Sequence, residues 1–159
     1  MDNLVDELSQ LLSNAEVKLV TAESCTGGMV STAITERAGS SKIFDRGYVT
    51  YSNQSKEELL GVPVTILNNY GAVSAQCADS MVLGALEKSN ADVGLSITGI
   101  AGPDGGDNNK PVGLVYIGVV VTGREPVVTE CHFQGDRAAI RRSACEKALT
   151  LLVETARTI

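Results

Sequence analysis

The sequence contains no tryptophan, two phenylalanines and four tyrosines in 159 residues, so aromatics make up only 4% of the chain. Single-stranded nucleic acids are held largely by bases stacking on such rings, and that platform is missing. Positive charge is scarce as well: 13 Lys and Arg stand against 19 Asp and Glu, for a net charge of −6. A polyanion-binding domain shows a basic balance or stripe, so no nucleic-acid partner is expected. A single His, His132, and four cysteines without a CxxC spacing leave no readable zinc site. Neither a metal nor a cofactor is expected. Cys77, Cys131 and Cys145 read as small buried hydrophobes of a reducing compartment. The first seven residues carry acids and no basic leader, and the longest apolar run, Leu114 to Val121, is too short to cross a bilayer. The expectation is a cytoplasmic protein without membrane contact.

What is abundant is small and flexible: 16 glycines within a chain that is 43% hydrophobic. That length suits one domain, expected to span residues 1–159, with a core of its own. Leu4, Leu8, Leu11 and Leu12 fall on one face of an N-terminal helix. Val17 to Ala22 reads as a strand, and Thr26-Gly27-Gly28 as the opening of a helix that runs to about Arg37. Gly47 to Tyr51 reads as a strand, with Asn53 capping a short helix that stops at Gly61. Ser74 caps a further helix, Val93 to Thr98 forms a strand, and Val112 to Val121 with Pro126 to Phe133 forms a hairpin. A last helix starts at Asp136. Interleaved strands and helices followed by a local hairpin predict an α/β fold with a mixed sheet.

Four segments carry more chemistry than folding asks for. Ser24 and Cys25 sit at a strand-to-helix turn, beside helix N–H groups suited to an oxyanion or a phosphate. Ser24 or Thr26 as a plain helix cap is the competing reading, and Gly27 and Gly28 favour function because they let a ligand approach the backbone. Lys56 falls in the first turn of a helix, where the dipole favours a neutral amine, the form a general base needs. A solvated surface lysine is the alternative. With one His in the chain, a Ser-Lys or Ser-Tyr-Lys arrangement is chemically sufficient to activate Ser24. The loop from Gly99 through Gly102 and Gly105 to Gly106 turns repeatedly and could cradle a phosphate, although Pro103-Asp104-Gly105 is also an ordinary turn. Arg137 and Arg141 lie four apart near a helix N-terminus, an arrangement that calls for an anion or for salt bridges to acids such as Glu130 or Asp45.

In this order and spacing, TAESCTGG, GYVTYSN with its lysine, GAVS, SITGIAGPDGG, KPVG and GDRAAIRR resemble the CinA C-terminal domain family. Within it, the chain is similar to the stand-alone nicotinamide-nucleotide amidohydrolases. The resemblance covers nearly the whole chain. It implies a three-layer α/β/α fold, a homo-oligomer, and hydrolysis of the carboxamide of nicotinamide mononucleotide to nicotinic acid mononucleotide and ammonia. It also implies Ser24, Tyr51 and Lys56 as catalytic residues, with the Tyr51 hydroxyl relaying a proton between the other two. Substrate binding would fall to Cys25, Thr26, Gly27, Gly28, Gly99, Gly102, Gly105, Arg137 and Arg141. Leu114 departs from the pattern, which has Thr after KPVG, and the activities of the additional N-terminal domain of longer members are not expected of this chain. A non-catalytic nucleotide-binding or regulatory module would use the same loops but would not need all three catalytic residues. A metal-dependent phosphohydrolase built on Asp104 and Asp107 lacks the clustered carboxylates it requires.

Overall fold

Strand β1 (Leu19–Glu23) shows how the sequence divides the molecule into layers. All five of its residues are buried, as in a strand covered on both faces. Side chains alternate across a strand. Leu19 joins an apolar cluster on one face, while Val20 and Ala22 join a second cluster on the other.

In a computed structural model that describes residues 1–159, β1 is the second of five strands in the order β2-β1-β3-β4-β5. The other strands are β2 (Phe44–Val49), β3 (Val93–Gly99), β4 (Leu114–Val121) and β5 (Val127–His132). β1 pairs in parallel with β2 and β3, whereas β3–β4 and β4–β5 are antiparallel. The sheet is therefore mixed, as expected. Helices α1 (Asp2–Ala15), α2 (Met29–Thr35) and α6 (Arg137–Ala156) pack together on one face. Helices α3 (Asn53–Leu60), α4 (Val64–Tyr70) and α5 (Ala75–Glu87) form the other layer. The first face encloses a cluster of 24 buried apolar residues and the second a cluster of 7, beside which Ala78 and Val82 of α5 are also fully buried, so the α3–α5 layer is the thinner one.

Several boundaries differ from those read in the sequence, each for a local reason. Thr26 to Gly28 do not open α2. Gly27 and Gly28 have positive φ and shape a turn, and the helix runs only from Met29 to Thr35. β2 begins at Phe44, and its pairing with β1 ends at Glu23↔Val49, which leaves Tyr51 on the loop beyond the strand. Ser52 rather than Asn53 caps α3: Ser52 and Ser55 exchange side-chain and backbone bonds in a reciprocal box. Helix α4 had no counterpart in the sequence reading. The hairpin, the Ser74 cap and the Asp136 cap form as expected.

The thin layer is fixed by a close approach. A Cβ on Gly84 of α5 would lie 1.9 Å from the carbonyl oxygen of Leu60, at the end of α3. Only glycine lets α3, the helix that carries Lys56, sit down on α5. Gly84→Ala is expected to lower the unfolding free energy by about 2 kcal/mol, within the range for overpacked interiors. The check is the denaturant midpoint, and an unchanged midpoint would mean that α3 slides freely over α5.

Candidate active site

The alternation of β1 continues one step past its end and decides where two functional side chains go. Glu23 points to the α2 face, and Ser24, whose N–H donates to Ile97 O at 2.9 Å, points to the α3 face. Ser24 thus stands at the carboxyl end of the parallel strands, the usual place for sites in such sheets. Its Oγ accepts a hydrogen bond from Lys56 Nζ at 2.9 Å.

Lys56 is 1% exposed, and its amine also donates to Thr50 O at 2.6 Å. It forms no ion pair with any carboxylate. Burial therefore pushes its pKa below the ordinary 10.5. Cys25 and Cys77 are the thiols that face it, and burial raises each of them to about 11, so near neutral pH both are uncharged. The competing picture of Lys56 as a solvated surface residue is set aside by its burial.

An open cleft of about 300 Å³ lies over the pair. Of the expected site residues, Ser24, Cys25, Tyr51, Lys56, Gly99, Gly102, Gly105 and Arg137 line it. Thr26, Gly27, Gly28 and Arg141 do not. Thr26 is fully buried and donates to Glu23, while Gly27 and Gly28 form the turn behind the cleft. Tyr51 is 63% exposed and its hydroxyl accepts from Arg137 Nη2 at 3.1 Å. The expected relay through Tyr51 is not formed, because Ser24 and Lys56 touch directly and the Tyr51 hydroxyl is hydrogen-bonded to neither of them.

The two arginines part company. Arg137 donates to Gly102 O at 2.7 Å as well as to Tyr51, and so spans the cleft mouth. Arg141 donates to the carbonyls of Cys25 and Thr26 at 3.0 and 3.2 Å. Neither pairs with Glu130, which bonds Tyr116, or with Asp45, which pairs with Arg46. Although the two lie one turn apart on α6, Arg137 reaches the loop and Arg141 the serine turn.

On the loop side, the backbone N–H groups of Ala101, Gly102, Asp104, Gly105 and Gly106 have no partner within the chain. Asp107 is occupied in a turn, accepting from Asn109 and Lys110 N–H, and does not join Asp104 at the cleft. The sequence reading also missed Asn53, Ala72, Val73 and Thr98 in the wall. Thr98 donates to Ala72 O and ties the wall to β3. A polar side chain at alternate positions of an otherwise apolar strand (Ser96, Thr98) was the available signal.

Fold and site together define a layered α/β domain with a buried serine–lysine pair at the head of its parallel strands. The chain belongs to the CinA C-terminal domain family, matched over residues 1–156. It is 45% identical to the nicotinamide-nucleotide amidohydrolase PncC of Escherichia coli K12, over 94% of this chain and 90% of that protein. It is 47% identical to a CinA-like protein of Citrifermentans bemidjiense over 95% of this chain, but spans only 36% of that longer protein. The crystal structure of the competence/damage inducible protein CihA from Agrobacterium tumefaciens superposes with a TM-score of 0.94 at 40% identity, covering 96% of this chain and 93% of that one.

The lowered Lys56 pKa has a thermodynamic signature. Between its folded value and the ordinary 10.5, the unfolded chain binds more protons at this position than the folded one. Stability therefore rises with pH across that window. Measured against Lys56→Met, the wild type should gain unfolding free energy as pH is raised from neutrality towards 10.5. A difference between the two proteins that stays flat with pH would show that the amine titrates normally.

Proposed function

We propose that the chain hydrolyses the carboxamide of nicotinamide mononucleotide to nicotinic acid mononucleotide and ammonia, with Ser24 as nucleophile. The observation that carries this reading is the 2.9 Å contact between Ser24 Oγ and a buried Lys56 amine that has no carboxylate partner. An amine whose charged form is disfavoured is a competent base for a hydroxyl. Neutral Lys56 takes the Ser24 proton as Oγ bonds to the carboxamide carbon. The same proton then passes to the departing nitrogen, and ammonia leaves an acyl-serine. Water, deprotonated by Lys56, attacks the acyl carbon, and the proton returns to Ser24 as the acid is released. The unpartnered N–H groups of the loop at Ala101, Gly102, Asp104 and Gly105, with Arg137, suit the phosphate end of the substrate. Tyr51 steadies Arg137 at the cleft mouth. The identity to the E. coli amidohydrolase supports the choice of substrate.

The test is ammonia release from nicotinamide mononucleotide by the purified chain in the presence of a chelator. Ser24→Ala should reduce kcat by about 10⁴-fold or more, as removal of a serine nucleophile does elsewhere. Lys56→Arg, which cannot lose its proton, should be equally damaged. Cys25→Ala should keep most activity, because burial holds that thiol protonated with a pKa of about 11. The wild-type kcat/KM should rise with pH through an inflection below the ordinary lysine value of 10.5, since only the neutral amine is active. Arg137→Ala should raise KM about 10- to 100-fold, the worth of one charge-assisted phosphate contact. Activity that vanishes with chelator and returns with zinc or magnesium would refute the scheme, as would an active Ser24→Ala.

A further inference from the structure

The turn from Ser24 to Gly28 is gripped from two sides by charged groups that do not line the cleft. On the α2 side, the Glu23 carboxylate is fully buried and accepts four hydrogen bonds. Its Oε1 takes Thr26 Oγ1 at 2.8 Å and Val30 N–H at 2.9 Å. Its Oε2 takes Ser31 N–H at 3.0 Å and Ser31 Oγ at 2.7 Å. From α6, Arg141 holds the carbonyls of Cys25 and Thr26. Neither Glu23 nor Arg141 takes part in an ion pair. A buried carboxylate without a cation is costly unless donors surround it, and here every donor belongs to the turn or to the helix it leads into.

Planar peptides convert this grip into an orientation. Ser24 O accepts from Gly27 N–H at 3.0 Å, and in a trans peptide the Cys25 N–H then points the opposite way. Drawing Cys25 O to Arg141 turns the Thr26 N–H away from α6 by the same rule. Both N–H groups lack a partner within the chain. The first turn of α2 has little else to give, because Glu23 occupies the N–H groups of Val30 and Ser31 and Thr26 O accepts that of Met29. We infer that Glu23 and Arg141 are positioning residues that clamp the serine turn and preorganise the N–H of Cys25, the turn residue that lines the cleft beside Ser24, as an oxyanion donor. Arg141 thus acts on the turn and not on the phosphate of the substrate. The inference rests on the acyl-serine reading above.

Donors aimed at a developing oxyanion act on the transition state, so their disturbance lowers kcat and leaves KM. Arg141→Ala should reduce kcat about 100-fold, the typical effect of losing one oxyanion donor. KM should stay within about threefold of wild type. The same loss should appear with nicotinamide riboside, which has no phosphate. Glu23→Gln presents an amide NH₂ to a backbone donor and should show the same pattern. Thr26→Val, which removes one tie at nearly constant volume, provides a milder version should Glu23→Gln fold poorly. A second readout does not depend on the nucleotide: the rate at which an alkyl fluorophosphonate labels Ser24, followed by intact mass. There Oγ bonds to phosphorus, fluoride leaves, Lys56 takes the proton, and Arg141→Ala and Thr26→Val should slow the labelling. Wild-type labelling rates in these variants would overturn the clamp, as would an Arg141→Ala enzyme with raised KM and intact kcat on the nucleotide alone. A wild type that labels readily, is slowed by Arg141→Ala, yet releases no ammonia from nicotinamide mononucleotide would overturn the substrate and support the clamp.

Discussion

An amine held out of water with no carboxylate beside it is the constraint to which the rest of this molecule answers. Lys56 Nζ is stabilised by two oxygens, those of Thr50 and Ser24, and both are supplied by segments leaving parallel strands. Keeping it there requires the Ser52 cap to start α3 at the right residue and Gly84 to let that helix settle on α5. Each is a local device with a distant beneficiary. A charged lysine in that place would lack the compensation that buried charges need, so the surroundings favour the proton-free form. The reactivity of the site and a local weakness of the fold have the same origin.

Two segments with unpaired backbone N–H groups border the cleft, and the protein treats them differently. The Ser24–Gly28 turn is braced by a carboxylate within and a guanidinium without, and has little freedom left. The Gly99–Gly106 loop is anchored at Ile100, whose N–H donates to Leu114 O and whose carbonyl accepts from Gly113 N–H, and at Gly102 O, held by Arg137, while the N–H groups of Ala101, Gly102, Asp104, Gly105 and Gly106 stay unpaired. The rigid turn suits a reaction in which a fraction of an ångström matters, and the looser loop suits the grasp of an anion from many directions. Leu114, which departs from the family pattern, is buried at the start of β4 and serves the loop through its backbone carbonyl.

The contact between Ser24 and Lys56 was legible in the sequence because chemistry narrows the field: with one histidine in the chain, few side chains can pair with a hydroxyl in this way. The mixed sheet was legible from the change in periodicity between the first two-thirds and the hairpin. Glu23 was not, although an acid closing the run Leu19 to Glu23 is the mark of a buried carboxylate. Its role depends on which face of β1 turns towards α2, and that follows from packing rather than from pattern. The hold of Arg141 on the Cys25 and Thr26 carbonyls was not legible either, because helix spacing reveals which residues share a face, but not which loop lies opposite. Tyr51 stands beyond the end of β2 with its hydroxyl on Arg137, a contact that no spacing in the sequence announces. Helix α4 escaped notice because Val64 to Tyr70 has none of its residues fully buried and no side-chain cap.

The unequal thickness of the two helical layers divides labour within a small chain. The larger apolar cluster lies between the sheet and α1, α2 and α6, whereas Lys56 rides on the side with the smaller one. Regions with few buried contacts are the ones that open locally, long before the whole domain does. Under heat or denaturant, the protein should thus lose its catalytic arrangement while most of its secondary structure persists. For engineering, the consequence is a separation of two properties that usually trade against each other. Apolar substitutions within the larger cluster, away from Glu23, Arg137 and Arg141, would change the working lifetime with little effect on turnover, and those beneath α3 would change both.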